Sequence, residues 1–471
     1  MFIGREKETG TLNRHYESGN FEFITIYGRR RVGKTTLITE FCKGKKTILF
    51  PALESSAKNN LAALSAAIFS CTNPEMSSPP VFEGFQQAFA HIAGLAKTER
   101  VILVIDEFPY LAESDRSISS VLQNTIDHKF KDTQLMLILC GSSMSFMEKQ
   151  VLNYNSPLYG RRTAQIKLLP FRYFVAAKWF PSYSPEEQAL AFAALGGIPM
   201  YLERFSNNKD VFQNILDSIM HTDAVLFEEP SNLLKQELRE PQTYNAIITA
   251  IAAGKTKLSE ISSAVGLETG SVTKYIDNLV LLGIVKKETP LLSGGKRKTI
   301  YLIADHFFRF WYRFVPQNMA AIYSDNMPKI FDTVVKARLS EFMGLAFEEI
   351  CKEFLLIRAE NLPFVISQIG QWWDGNPVTK KEAQIDIVAL SPDKTEVVVG
   401  SCKYRNETTA LSVLAELRES AVALDGEFKR TYYYIFSRSD FSSALKDAAK
   451  SDPSVRLIPL NEIYSDSQNE R

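Results

Sequence analysis

The run IYGRRRVGKTT (Ile26–Thr36) constrains the fold of this chain more than any other stretch, because it holds Gly-x-x-x-x-Gly-Lys-Thr from Gly28 to Thr35. The apolar FEFITI leads into it and TTLITEF leaves it, so a strand enters a glycine turn and a helix departs. That context gives the spacing its chemistry. Glycines let backbone N–H groups turn inward around a phosphate, and the N-terminus of the departing helix adds positive potential. Gly28, Arg29, Arg30, Arg31, Val32 and Gly33 then line the phosphates. Lys34 reaches the β- and γ-phosphates, the Thr35 hydroxyl sits on Mg2+, and Thr36 completes the nucleotide-binding run. The three arginines raise the local potential for an anion. They suit pairing with acids of a neighbouring domain equally well.

Two further strands fit the same site. VILVIDEF runs a continuous apolar strand, of the kind buried on both faces of a parallel sheet, into Asp106 and Glu107. An aspartate there completes a Mg2+ shell with Thr35, and the following glutamate orients or deprotonates the attacking water. QLMLILCGSS ends in Ser142 and Ser143. Ser142 is placed either to sense a γ-phosphate from the adjacent strand or simply to make a Gly-Ser turn.

In order, FIGREKE, GRRRVGKT, IDEF, CGSS, LYGRRT (Leu158–Thr163) and GGIPMYL (Gly196–Leu202) resemble the archaeal-type ATPase family, within the STAND class of the AAA+ superfamily. The resemblance covers about the first 230 residues of the chain. It implies an ATP site with Mg2+, with Gly4, Arg5 and Glu6 near the adenine. It offers Arg161 or Arg162 as a phosphate contact, although paired arginines also suit a solvated face.

Downstream the pattern changes. Residues 169–238 read as a helical lid punctuated by Pro181, Pro185, Gly196, Gly197 and Pro199. Residues 239–316 read as helix, helix, turn, helix and basic hairpin, the order of a winged helix-turn-helix. Between 240 and 315 ten Lys/Arg face six Asp/Glu, with Lys296, Arg297 and Lys298 at the hairpin tip. A DNA reader would put Ser271, Thr273 and Lys274 in a groove and the wing on phosphates. The excess is modest for phosphate-driven affinity, which slightly favours a module docked on the ATPase. The aromatic DHFFRFWYRFV leads into a packing segment, 317–334.

Residues 335–471 read as α-β-β-β-α-β, an order that resembles the restriction-endonuclease-like fold with its PD-(D/E)xK site. On that resemblance Glu348 is the helix carboxylate, Asp386 the strand aspartate and Lys403 the lysine. Ser401 stands where the second acid belongs. Mg2+ usually binds through one or two carboxylates, so a hydroxyl there weakens the site. Trp372 and Trp373 lie beside it, suited to base stacking or to a core rim.

The 471 residues allow about three domains. The expected fold class is thus α/β: a P-loop core over 1–168, then lid, winged helix and a C-terminal α/β domain. Lys+Arg equals Asp+Glu, so the sum of charge points to no nucleic-acid or membrane partner. The five cysteines and five histidines show no ligand spacing. No apolar run approaches the ~20 residues that span a bilayer, and a reducing cytoplasm fits best. Three functions stay open: an ATP-regulated nuclease acting on DNA, a nucleotide switch whose last domain binds DNA or a protein (or self-associates) without cutting, and a winged-helix transcriptional regulator.

Overall fold

The computed structural model describes residues 2–292, 298–358, 362–375 and 382–465. Lys296 and Arg297 of the hairpin tip lie outside them. Two compact units emerge: Met1–Pro170 with Ile198–Met200, and Phe171–Gly197 with Tyr201 onward.

The first unit is built on five strands: β1 (Glu22–Tyr27), β2 (Thr47–Pro51), β3 (Val101–Asp106), β4 (Leu135–Gly141) and β5 (Ala164–Lys167). They pair in the order β2-β3-β4-β1-β5, and every pairing is parallel. All six residues of β1 and β3 and all seven of β4 are buried, as expected for strands covered on both faces. The β4 strand lies between β1 and β3. The turns that follow these three strands therefore share one rim, the usual ligand edge of a parallel sheet.

The second unit begins with short helices, among them Pro185–Leu195 and Val211–Ile219. Three helices follow, Pro241–Ala252, Leu258–Val265 and Thr269–Leu281. They precede the two-stranded antiparallel ribbon β6 (Val285–Glu288) and β7 (Ile300–Ile303). The helix His306–Phe314 buries Phe307, Phe308, Phe310, Tyr312 and Phe314.

A 22-residue helix, Lys336–Ile357, then introduces the last sheet. Its strands are β8 (Gln368–Gly375), β9 (Glu382–Leu390), β10 (Glu396–Lys403), β11 (Arg430–Ser437) and β12 (Val455–Pro459), in the spatial order β12-β11-β10-β9-β8. The first three run antiparallel, and β10, β11 and β12 run parallel. Crossover helices Ser412–Ala421 and Ser443–Ser451 make that change of direction possible. Val397, Val399, Val413, Leu414 and Leu417 share an apolar cluster that also contains Trp372, so Trp372 is a core residue.

Candidate nucleotide-binding site

The glycine turn folds around its own lysine. Lys34 Nζ donates to the carbonyls of Gly28 at 2.8 Å and Arg29 at 3.0 Å. A Cβ on Gly28 would lie 2.4 Å from the Leu168 carbonyl oxygen, so no larger residue fits there. Gly33 has φ +88, a left-handed conformation that glycine adopts without strain, and it starts the helix Lys34–Cys42. Arg31 shares that conformation at φ 73. Alternation of such residues curls successive amides into an anion-binding nest.

Beside the loop, Thr35 Oγ1 donates to Asp106 Oδ2 at 2.9 Å. A hydroxyl and a carboxylate in contact at the rim are the hard oxygen donors that Mg2+ takes, so the residues present fit the ion. The neighbouring Glu107 is held left-handed at φ 50, a strain of roughly 1–3 kcal/mol for a residue with a side chain. Its Oε2 accepts from the Ser142 amide at 3.1 Å and the Ser142 hydroxyl at 2.9 Å. Strand order explains the contact, because β4 delivers Ser142 between the phosphate loop and β3.

The N-terminal turn joins the same rim. Gly4 and Arg5 both have φ 73, and Arg5 is buried. Its guanidinium donates to Val32 O at 2.9 Å and Leu169 O at 2.8 Å, so it braces the phosphate loop. Burial lowers the Arg5 pKa, against the pull of Glu8 and Glu6. Glu6, exposed, opens the first helix.

The two later arginines are committed elsewhere. Arg161 grips the Asp127 carboxylate with two hydrogen bonds of 2.9 and 2.6 Å, which hold Asp127 below the ordinary carboxylate range. Arg162 donates to Gln165 and to the Leu152 carbonyl. Tyr110, which no motif singled out, accepts from Arg30 at 2.9 Å. It sits three residues past Glu107, and only the folded helix shows that it reaches back.

The acid corner of the last sheet is differently arranged. Glu348 lies on Lys336–Ile357, where burial and the Asp386 charge push its carboxyl up to about 8. Gln371 donates to Glu348, and Asp386 Oδ2 accepts the Cys402 amide at 2.8 Å. Cys402 contacts Cys351 of that helix. Alternation along β10 therefore turns Ser401 and Lys403 to the opposite face, the side of Val397 and Val399. Among the described residues no cluster of three His, Cys, Asp or Glu could hold a metal. No helix among them is long and apolar enough to cross a membrane.

A family model described as an ATPase domain predominantly from Archaea matches residues 2–205. Another, described as archaeal and bacterial proteins of unknown function, matches residues 311–414. An uncharacterized protein of Methanocaldococcus jannaschii is 33% identical over 411 residues, 86% of this chain and 88% of that protein. An uncharacterized ATP-binding protein of the same organism is 46% identical over 46 residues, 10% of this chain and 78% of that one. Among solved structures, the chain is similar to a Walker-type ATPase of Pyrococcus abyssi. The TM-score is 0.51 at 20% identity, covering 66% of this chain and 96% of that one, a likeness of fold.

Proposed function

The chain belongs to the family of ATPase-domain proteins found predominantly in Archaea, and from that premise we propose that it binds ATP with Mg2+, hydrolyses it, and uses the cycle as a switch. One observation carries this reading: Lys34, the Thr35–Asp106 pair and the Glu107–Ser142 pair meet on one rim. In this reading the loop amides and Lys34 bind and orient the phosphates. Thr35 and Asp106 hold Mg2+, which supplies charge neutralisation when bound. Glu107 takes the proton of an attacking water or positions it, and Ser142 keeps its carboxylate aimed. Arg5 acts on the loop through Val32.

Calorimetry with ATP and Mg2+ tests the proposal. Lys34→Ala is expected to abolish binding. Glu107→Gln is expected to keep binding and to lower turnover by about 10²–10⁴-fold, the usual worth of a general base. Wild-type turnover in both variants would defeat the assignment.

For the remaining chain we read residues 169–238 as lid, 239–316 as winged helix, 317–334 as packing segment and 335–471 as an endonuclease-like module. The three-helix-plus-ribbon order and the β12-β11-β10-β9-β8 sheet support this. The acid corner does not fit a cutting metal site, because Gln371 engages Glu348, the Cys402 amide engages Asp386, and Ser401 faces away. We therefore read the module as non-cutting. A second reading, duplex DNA binding by the winged helix, draws on exposed Ser271 and Lys274 and on the basic ribbon. Plasmid incubated with Mg2+ or Mn2+ and ATP should stay intact; cleavage lost in Asp386→Ala would restore the nuclease reading.

A further inference from the structure

The basic ribbon of the winged helix is already engaged. Lys286 on β6 donates to Glu349 of the helix Lys336–Ile357 at 2.8 Å. His306 and Arg309 reach the same carboxylate at 3.1 and 2.7 Å. Burial opposes ionisation of Glu349, yet Arg309, His306 and Lys286 outweigh it and hold its carboxyl well below the usual range. Lys298 pairs with Asp374 on β8.

Between those ion pairs the ribbon touches backbone. The Leu291 amide donates to the Gln371 carbonyl at 2.8 Å, and β8 is an edge strand of the last sheet. Leu291 and Leu292 pack on the cluster that contains Trp372. A Cβ on Gly370 would lie 2.9 Å from Leu291 Cγ. The edge of β8 is thus covered by the segment that a winged helix lays along DNA phosphates. Lys286 and Lys298, both half-buried, take carboxylates as their anions.

We propose that Glu349 and Asp374 stand in for the phosphate backbone, docking the ribbon on β8 in an autoinhibited state, and that duplex DNA competes for the same lysines. The inference rests on the winged-helix reading of 239–316 and is independent of the ATPase reading. Opening the ribbon frees Lys286 and Lys298 together with Lys287, which is exposed. Closing it covers the strand edge, which would otherwise invite pairing with another chain.

The test uses the full-length protein with a fluorescent 30-base-pair duplex, titrated at several salt concentrations. Gly370→Val changes no charge and pushes Leu291 away, while Asp374→Asn removes one stand-in for phosphate. Hydrogen exchange at the Leu291 amide reports the docked contact. Both variants are expected to raise that exchange and to tighten duplex binding about threefold to tenfold. The log–log salt slope should steepen by about one for each additional phosphate that a freed lysine neutralises. Faster exchange without tighter binding overturns the proposal. So does a Leu291 amide that stays protected in both variants, because the contact then does not depend on the groups named. ATP binding by the same samples is expected to be unchanged, which separates failure here from failure of the nucleotide site.

Discussion

The two large sheets end in acids that look alike on paper and are used differently. In the first, β1, β3 and β4 are parallel, so their C-terminal ends meet and Lys34, Asp106 and Ser142 come from three strands to one rim. In the second, β9 and β10 are antiparallel. There Asp386 turns to the helix that carries Glu348, while Lys403 and Ser401 leave on the other face. Parallel ends collect functional groups; alternation along a strand divides them.

The comparison breaks most readily at Glu107. If the first rim is a catalytic assembly, Glu107→Gln costs the 10²–10⁴-fold in turnover given above with little change in nucleotide affinity. Next in size is Glu349→Ala, which leaves Lys286, Arg309 and His306 beside a lost carboxylate. Removing one partner of a buried ion network costs about 3–5 kcal/mol. Chemical denaturation should show the second unit losing that stability while ATP binding by the first persists. A smaller effect is expected from Ser142→Ala, which frees the Glu107 carboxylate from one of two hydrogen bonds. Turnover should fall about tenfold with the Michaelis constant for ATP held, since an aiming contact acts on the reacting geometry. Loss of ATP affinity with unchanged turnover would make Ser142 a phosphate contact instead.

How much of this was legible follows from how local each contact is. The phosphate loop is written in consecutive residues, so strand, turn and helix could be placed from Ile26–Thr36 alone. Glu107 and Ser142 were legible as strand ends, but their hydrogen bond depends on β4 lying beside β3. Arg161 was ambiguous because its partner Asp127 lies 34 residues away and no motif connects them. In the last sheet, alternation correctly places Ser401 with Lys403 on one side. Along β9 it holds for Gln384 and Asp386, whose side chains touch, but breaks between Ile385 and Val388, which reach the same cluster. The pairing with β8 shifts register between Gly370 and Trp372, and such an irregularity resets which residues face which side. The contact of the ribbon with β8 was also invisible, because the sequence slightly favoured docking of residues 239–316 on the ATPase.

A milder effect, within the second unit, depends on pH. Burial pushes the Glu353 carboxyl up to about 7, against the Tyr173 amide and Arg172, with Glu349 adding repulsion. A raised carboxyl pKa contributes stability that is complete below the unfolded value near 4.5 and is lost as pH rises through about 7. His306, lowered to about 4 chiefly by burial, works the other way, losing stability as pH falls from 6.5 toward 4. The wild-type profile therefore mixes both slopes, and the difference from Glu353→Gln isolates one. Relative to wild type, the variant's melting temperature should climb between pH 5 and pH 8. A constant offset would show that Glu353 does not titrate in that window.

The smallest expected effect on DNA cleavage is none at all. Ser401→Glu restores an acid to the vacant slot of the endonuclease-like pattern. If sequence spacing alone governed the site, that variant would gain metal-dependent cleavage of plasmid DNA. The geometry predicts no gain, because a glutamate at 401 points to the face of Val397 and Val399 while Asp386 and Glu348 lie toward the helix. Its carboxylate would also be only slightly exposed, given that Ser401 itself is 7% exposed, so burial without a partner should lower the melting temperature. Cleavage in Ser401→Glu that disappears on adding Asp386→Ala would show that β10 can turn its acid to Asp386. The contrast between the two sheets would then lie in one residue's chemistry and not in the direction of the strands.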